Sequence, residues 1–218
     1  DKNGRDRTAV CCLSSLNLEK YDEWKDDSVM INDVMRFLDN VLTDFIERAP
    51  EQFDDAKYSA EKERSVGLGV MGFHSYLQQH SIPLESVMSK AWNKKIFKHI
   101  QEHVDQASKD LADERGPCPD AADYGYNERF SNKTAIAPTA SISIICGGAS
   151  PGVEPVAANS YTHKTLSGSF NVRNRYLVEL LEKHGKNTDD VWSGITTNQG
   201  SVSHLDFLTD LEKDVFKT

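Results

Sequence analysis

The 218-residue chain reads as an α/β fold rich in helix. The first sign is the order of segments, strand then helices then strand then helices. The second is a set of apolar stripes at three- and four-residue steps, separated by shorter β-type runs. The third is the lack of any internal repeat or low-complexity linker, which favours one domain over residues 1–218 rather than two.

Each element follows from a local pattern. Thr8 to Leu18 is β-like, with Ala9, Val10, Cys11, Cys12, Leu13, Leu16 and Leu18. A polar turn runs from Glu19 to Asp27, and Ser28 is placed to cap a helix. In that helix Ile31, Val34, Leu38, Val41, Leu42 and Phe45 form one face, and it ends before Pro50. Ser65 to His80 is expected as a second helix, striped by Val66, Val70, Phe73 and Leu77. Gly67, Gly69 and Gly72 would cost it roughly 1 kcal/mol each against Ala, which points to close backbone approach. After Pro83 a long helix is expected from about Ser86 to Glu114, stopped by Gly116-Pro117. Pro117 to Lys133 reads as loop. Thr134 to Ile145 reads as strand, loop, then strand or short helix. Val153 to Val172 alternates and turns. Tyr176 to His184 is a short helix closed by Gly185, and two further short helices are expected between Asp189 and Thr218.

Composition excludes several classes. The chain is 38% hydrophobic and 27% charged, with a net charge of −9. That balance argues against a grip on nucleic acid, which needs clustered Lys and Arg. An acidic chain can still hold an anion locally through backbone donors. No apolar run is long enough to span a bilayer, so no membrane partner is expected. Asp1 to Arg7 lacks the features of a secretory signal. Four cysteines are too few for a disulfide scaffold, so a reducing cytoplasm is expected. The polar start and the abrupt end at Thr218 both read as cuts within a larger fold.

Two places look chemical. Cys11 and Cys12 are neighbours on a β-type run, so their side chains should point to opposite faces. They are either two buried apolar thiols or one redox thiol whose partner lies elsewhere. Cys118 and Cys146 show no spacing that makes them that partner. There is no C-x-x-C, and the histidines form no ligand pattern with the cysteines, so no metal site is expected. His99 and His103 lie four apart and read as a solvated helix face. The second place is Ala137-Pro138-Thr139-Ala140-Ser141-Ile142-Ser143, followed by Gly147-Gly148 and Gly152-Val153-Glu154-Pro155. Small hydroxyl residues after a proline can lay backbone N–H groups and hydroxyls against an anion, or can simply be a polar loop. The spacing is not that of a P-loop. Glu154 is either a buried structural carboxylate or a catalytic one.

Together these segments resemble the catalytic (large, alpha) subunit of ribonucleotide reductase. Thr8-Ala9-Val10-Cys11-Cys12-Leu13-Ser14-Ser15-Leu16-Asn17-Leu18 resembles the strand with its second redox cysteine. Arg64-Ser65-Val66-Gly67-Leu68-Gly69-Val70-Met71-Gly72-Phe73 resembles its Arg-Ser/Thr-x-Gly-x-Gly-Val segment. Ala137 to Ser143 and Gly152 to Pro155 resemble its substrate-phosphate loop and the element after it. Tyr161-Thr162-His163-Lys164 and Leu166-Ser167-Gly168 continue the likeness.

The resemblance implies part of a ten-stranded α/β barrel, incomplete in this chain. It implies that Cys11 is half of a redox-active disulfide, with Cys12 structural. It implies that Pro138, Thr139, Ala140, Ser141 and Ile142 hold the substrate's phosphates. The family's radical cysteine, in an Asn-x-Cys-x-Glu motif, would precede this chain. Its paired tyrosines would follow Thr218, so the chain alone is expected to be inactive. No cofactor is expected in the chain itself. The parent enzyme would need a radical generator, either a metal-containing small subunit or cobalamin. The partners implied are the ribonucleotide substrate, the rest of the large subunit, the radical-generating small subunit, thioredoxin or glutaredoxin, and a second copy in a homo-oligomer. Two other readings stand beside this one: an assembly module that docks on a complementary chain, and a small thiol-redox protein built on Cys11.

Overall fold

In the computed structural model, residues 1, 4–165 and 168–218 are described. Lys2, Asn3, Leu166 and Ser167 lie outside the described residues, as do the side chains of His163 and Thr165. In chain order the elements begin with β1 (Leu13–Asn17), α1 (Tyr21–Trp24), α2 (Met30–Arg48) and α3 (Asp54–Glu63). β2 (Gly67–Met71), α4 (Phe73–Gln79), α5 (Val87–Arg115), α6 (Pro119–Ala122) and α7 (Ile142–Ile145) follow. The hairpin β3 (Ser160–Thr165) and β4 (Gly168–Arg173) then leads to α8 (Arg175–Lys183), α9 (Asp189–Thr197) and α10 (Asp210–Val215). The chain divides into two compact units. Unit 1 holds Asp1–Leu16, Lys20–Val70 and Lys94–Thr139; unit 2 holds Asn17–Glu19, Met71–Asn93 and Ala140–Thr218.

Unit 1 is built from the faces of two long helices. Ile31, Met35, Leu38 and Leu42 of α2 are buried, as are Ile96, Ile100, Val104 and Leu111 of α5. These repeats follow the 3.6-residue period, so each helix buries one stripe. β1 pairs with β2, and Gly67 N–H donates to the Cys12 carbonyl at 2.9 Å. On its other side β2 forms a parallel bridge, Leu68 to Thr134. Val66 N–H donates to Asn132 O at 2.9 Å and Leu68 N–H to Lys133 O at 3.0 Å. Among the described residues the ladders are two two-stranded sheets, with no closed barrel.

A buried ion cluster sits in the same unit. Asp39, on the inner side of α2, is fully buried. Arg64 Nε donates to its Oδ1 at 2.8 Å, Arg129 Nε to Oδ1 at 2.9 Å, and Arg115 Nη1 to Oδ2 at 2.8 Å. Arg64 also donates to Asp39 O and Thr43 Oγ1, and Arg129 to Arg115 O and Gly116 O. Burial pushes the Asp39 carboxyl upward, but Arg129, Arg64 and Arg115 outweigh it and hold it below its ordinary value.

Unit 2 centres on Leu177, Leu181, Trp192, Ile195, Val215 and Phe216, all buried. The hairpin runs in register from Ser160 opposite Arg173 to Thr165 opposite Gly168. At the start of α4, Ser75 N–H donates to Ser150 Oγ and Ser150 N–H to Ser75 Oγ, at 3.1 and 2.9 Å. This pair ties the segment before Gly152 to the helix end. α10 begins with a capping box between Thr209 and Glu212.

Several expectations need correction. The helix placed over Ser65 to His80 is a strand followed by a short helix. Close backbone approach was the right reason for the glycines: a Cβ on Gly69 would overlap the Ala135 carbonyl oxygen. The strand begins at Leu13 rather than Thr8. Ser28 does not cap α2; Asp27 Oδ1 accepts from Val29 N–H instead. The helix Asp54–Glu63 and the turn of helix at Pro119–Ala122 were not anticipated. His99 does not lie on a freely solvated face. Its ring stacks on Trp24 at 6.1 Å and its Nδ1 is 3.1 Å from Tyr21 Oη.

Candidate functional site

The two adjacent thiols of unit 1 have opposite environments. Cys11 is exposed, and Cys12 is buried with its Sγ donating to Leu38 O at 3.7 Å. Burial also pushes the Cys12 thiol up, away from the reactive thiolate. The alternation expected of an extended chain therefore holds just ahead of β1. All four cysteines are free thiols, with Cys118 buried and Cys146 exposed.

The small-residue loop crosses from one unit to the other between Thr139 and Ala140. Pro138, Ala140, Ser141 and Ile142 are exposed, while Thr139 is buried. Thr139 has φ +54°, the left-handed region. A β-branched residue there costs about 1–3 kcal/mol, a strain of the kind that collects at binding loops. Ser141 leads into α7, a single turn whose first N–H groups have no acceptor within the helix. Ser143 Oγ turns back to donate to Ala140 O at 3.3 Å. Glu154 is exposed, which removes its reading as a buried structural carboxylate.

Unit 2 also contains a cavity of about 480 Å³. Ala140, Ser143, Gly147 and Gly148 form part of its wall, with Arg175 and Tyr176. Arg175 and Tyr176 are fixed by one carboxylate, the buried Glu19. Tyr176 Oη donates to Glu19 Oε1 at 2.9 Å, and Arg175 Nη2 pairs with Glu19 Oε2. Burial, followed by the Glu19 charge, pushes the Tyr176 phenol far up, so it stays a donor. An amide relay begins in this wall, at Gln78 and Asn174. Asn174 Nδ2 donates to Gln78 Oε1 and to Asn159 Oδ1, both at 2.9 Å. Asn159 Nδ2 donates in turn to Gly200 O at 3.0 Å and Phe216 O at 2.7 Å. Sequence reasoning missed Glu19, Gln78, Asn159, Asn174 and Arg175. Their only signal was polar residues at the ends of apolar runs.

His74 is buried in the same unit and accepts from Val156 N–H through Nδ1 at 3.0 Å. Burial lowers its pKa to about 4. A histidine that resists protonation in the folded state stabilises the fold fully above about pH 6.5, its unfolded value. That contribution should fade between pH 6.5 and about 4, a loss of about 3 kcal/mol. Urea unfolding at pH 7, 5.5 and 4 checks this: His74→Asn should show a flatter pH dependence than the parent. Parallel curves for the two proteins would refute it.

Cys11 belongs to unit 1 and Ala140 to Ile142 to unit 2, and each is described within its own unit. Among the described residues no group of three His, Cys, Asp or Glu side chains is arranged to hold a metal ion. No described helix is long and apolar enough to cross a membrane.

Comparison with known proteins gives a consistent likeness. The family model for the ribonucleotide reductase barrel domain matches residues 2–129 and 120–218. The ribonucleoside-diphosphate reductase large subunit of Invertebrate iridescent virus 6 is 51% identical over 216 residues, covering 97% of this chain and 22% of that protein. The protein of the same name from Invertebrate iridescent virus 3 is 47% identical, covering 97% of this chain and 34% of its own length. The Actinobacillus ureae class Id ribonucleotide reductase alpha subunit superposes with a TM-score of 0.89 at 41% identity. That match covers 98% of this chain and 39% of the other. The chain thus spans well under half of the relatives it matches.

Proposed function

Because the chain belongs to the ribonucleotide reductase barrel-domain family, we propose that it works as one part of a catalytic subunit reducing ribonucleoside diphosphates. In this reading its strands β1 and β2 belong to a ten-stranded α/β barrel completed by the rest of the large subunit. Cys11 is one half of a redox-active disulfide. The ribose 2′-hydroxyl leaves as water with one thiol hydrogen, the second thiol hydrogen takes its place on C2′, and the two sulfurs join as a disulfide. Pro138, Thr139, Ala140, Ser141 and Ile142 hold the substrate's phosphates through backbone N–H groups and hydroxyls. Cys12 keeps the strand packed and takes no part in the chemistry.

The observation that carries this reading is the contrast at Cys11-Cys12. One thiol is exposed and available, and its neighbour is buried and pushed toward the inert form. The strained Thr139, followed by an α7 start that no Ser141 side-chain bond caps, supports the phosphate role. The remaining components are part of the same proposal. A separate radical generator, a metal-containing small subunit or cobalamin, supplies the one-electron chemistry. Thioredoxin or glutaredoxin restores the thiols, the assembly is a homo-oligomer, and the setting is the cytoplasm.

The test is a chimera. Residues 1–218 replace the matching segment of the Invertebrate iridescent virus 6 large subunit, and ribonucleoside diphosphate reduction is assayed with its full set of partners. Cys11→Ser should drop turnover to background, and Cys12→Ser should keep most of it. A Cys11→Ser chimera as active as its parent would remove the proposed role.

A further inference from the structure

The cavity of unit 2 has a chemistry that the phosphate-loop reading leaves unused. Its wall includes Arg175 and contains no carboxylate, lysine or histidine. This is unusual for a chain of net charge −9. The orientation of Arg175 is set by its partners. Nη2 is taken by Glu19, and Nη1 stands 3.6 Å from where a Cβ on Gly147 would be. The Arg173 guanidinium is engaged elsewhere, with Asp189 at 2.9 Å and over the Trp192 ring, neither of which lines the cavity. Arg175 is therefore the cationic residue left to the cavity, and its carboxylate partner Glu19 is not among the lining residues. The rest of the lining differs in kind. Val156, Ala157 and Val172 supply apolar surface, and Tyr161 and Tyr176 supply two aromatic rings. Gly148 has nothing within 4 Å of the space a side chain would fill.

A volume of about 480 Å³ lies in the range of small-molecule sites. A bare inorganic anion makes no use of the apolar lining, and a neutral apolar molecule makes no use of Arg175. We propose that this cavity binds a small aromatic organic anion, its acid group against Arg175 and its ring against Val156, Val172 and the tyrosines. The site does not depend on the phosphate role of the loop. Thr139 and Ser141 are outside its lining, although Ala140 is shared.

Calorimetric titration of the 218-residue chain tests this with four probes: 2-naphthoate, AMP, adenosine and inorganic phosphate. The two aromatic anions should bind at least about tenfold more tightly than adenosine or phosphate, since a charge-assisted contact to Arg joins the apolar burial. Naphthoate binding without AMP binding supports the proposal and restricts the ligand to a non-nucleotide acid. AMP binding without naphthoate supports it and restricts the ligand to a nucleotide. Arg175→Gln should weaken binding about tenfold or more. Ile144→Trp, at a wall position 49% exposed, should block the cavity and keeps the test decisive if Arg175→Gln fails to fold. Ser141→Ala should leave binding unchanged, whereas it should weaken ribonucleotide binding in the chimera if the loop holds phosphate. The proposal is overturned if neither aromatic anion saturates the chain at millimolar concentration. It is equally overturned if Ile144→Trp binds them as the parent does.

Discussion

Asp39→Ala is expected to destabilise unit 1 by about 3–5 kcal/mol, the usual result of removing one partner from a buried ion cluster. Three arginines converge on this carboxylate, and Arg64 and Arg129 are themselves largely buried. Without Asp39 their charges face one another, and Glu114, paired with Arg115, offsets only one of them. Arg64 already shows the strain. Burial pulls its pKa down, and Arg129 and Arg115 add to that, with only Asp39 opposing them. The pH dependence follows from the direction of the Asp39 shift. Its folded pKa lies below the ordinary 3.8, so its contribution is fully present above that value. It is lost as pH falls below 3.8 and through the lower folded value. Urea unfolding at pH 7 should show the large loss for Asp39→Ala. Near pH 3 and below, the gap between variant and parent should narrow. A loss under about 1 kcal/mol at pH 7 would mean the cluster is no stronger than a surface pair.

The second large effect is expected at Trp192. The side chain is 2% exposed and sits in the core of unit 2, among Leu177, Leu181 and Ile195. Its indole N–H donates to Asn187 Oδ1 at 2.7 Å, and the Arg173 guanidinium lies 5.0 Å from its ring centroid. Trp192→Ala removes the ring and its hydrogen bond to the exposed Asn187 and leaves a cavity, so a loss of about 3–5 kcal/mol is expected. Trp192→Phe keeps most of the volume and loses only the hydrogen bond and the outer ring, so it should cost clearly less. The measurement is the urea midpoint of both variants at constant slope. Equal losses for the two would mean that the hydrogen bond, rather than packing, dominates.

The parts of the fold legible in the sequence were those written in local periodicity. The long helices α2 and α5 carry stripes that repeat every three to four residues, and both were placed within a residue or two of their observed ends. β2 was misread because Val66, Val70, Phe73 and Leu77 also fit a helical spacing. The better clue was the alternation of Val66, Leu68 and Val70 with Gly67 and Gly69, a two-residue period. α3 was missed because its buried face is only Ala56, Ser59 and Ala60, which make no apolar stripe. The contrast between Cys11 and Cys12 was legible, since an extended chain alternates its faces. The Asp39 cluster was not. Its arginines come from 25, 76 and 90 positions away, and no local pattern encodes such a meeting. Glu19, Arg175 and Tyr176 are hidden for the same reason.

The amide relay has a bearing on how the protein ages. Asn159 precedes Ser160, a pairing with a small following residue that exposes an asparagine to slow hydrolysis to aspartate. In this fold its Nδ2 is committed to the carbonyls of Gly200 and Phe216. Hydrolysis would turn that donor into a carboxylate oxygen facing two carbonyl oxygens in a buried place, with no hydrogen to share. The damaged chain would lose its hold on Phe216, the residue that closes α10. An intact relay shields Asn159 from attack, and a broken one loosens the last turn of α10. Chemical wear at this single amide would therefore register in the core that Phe216 shares with Trp192.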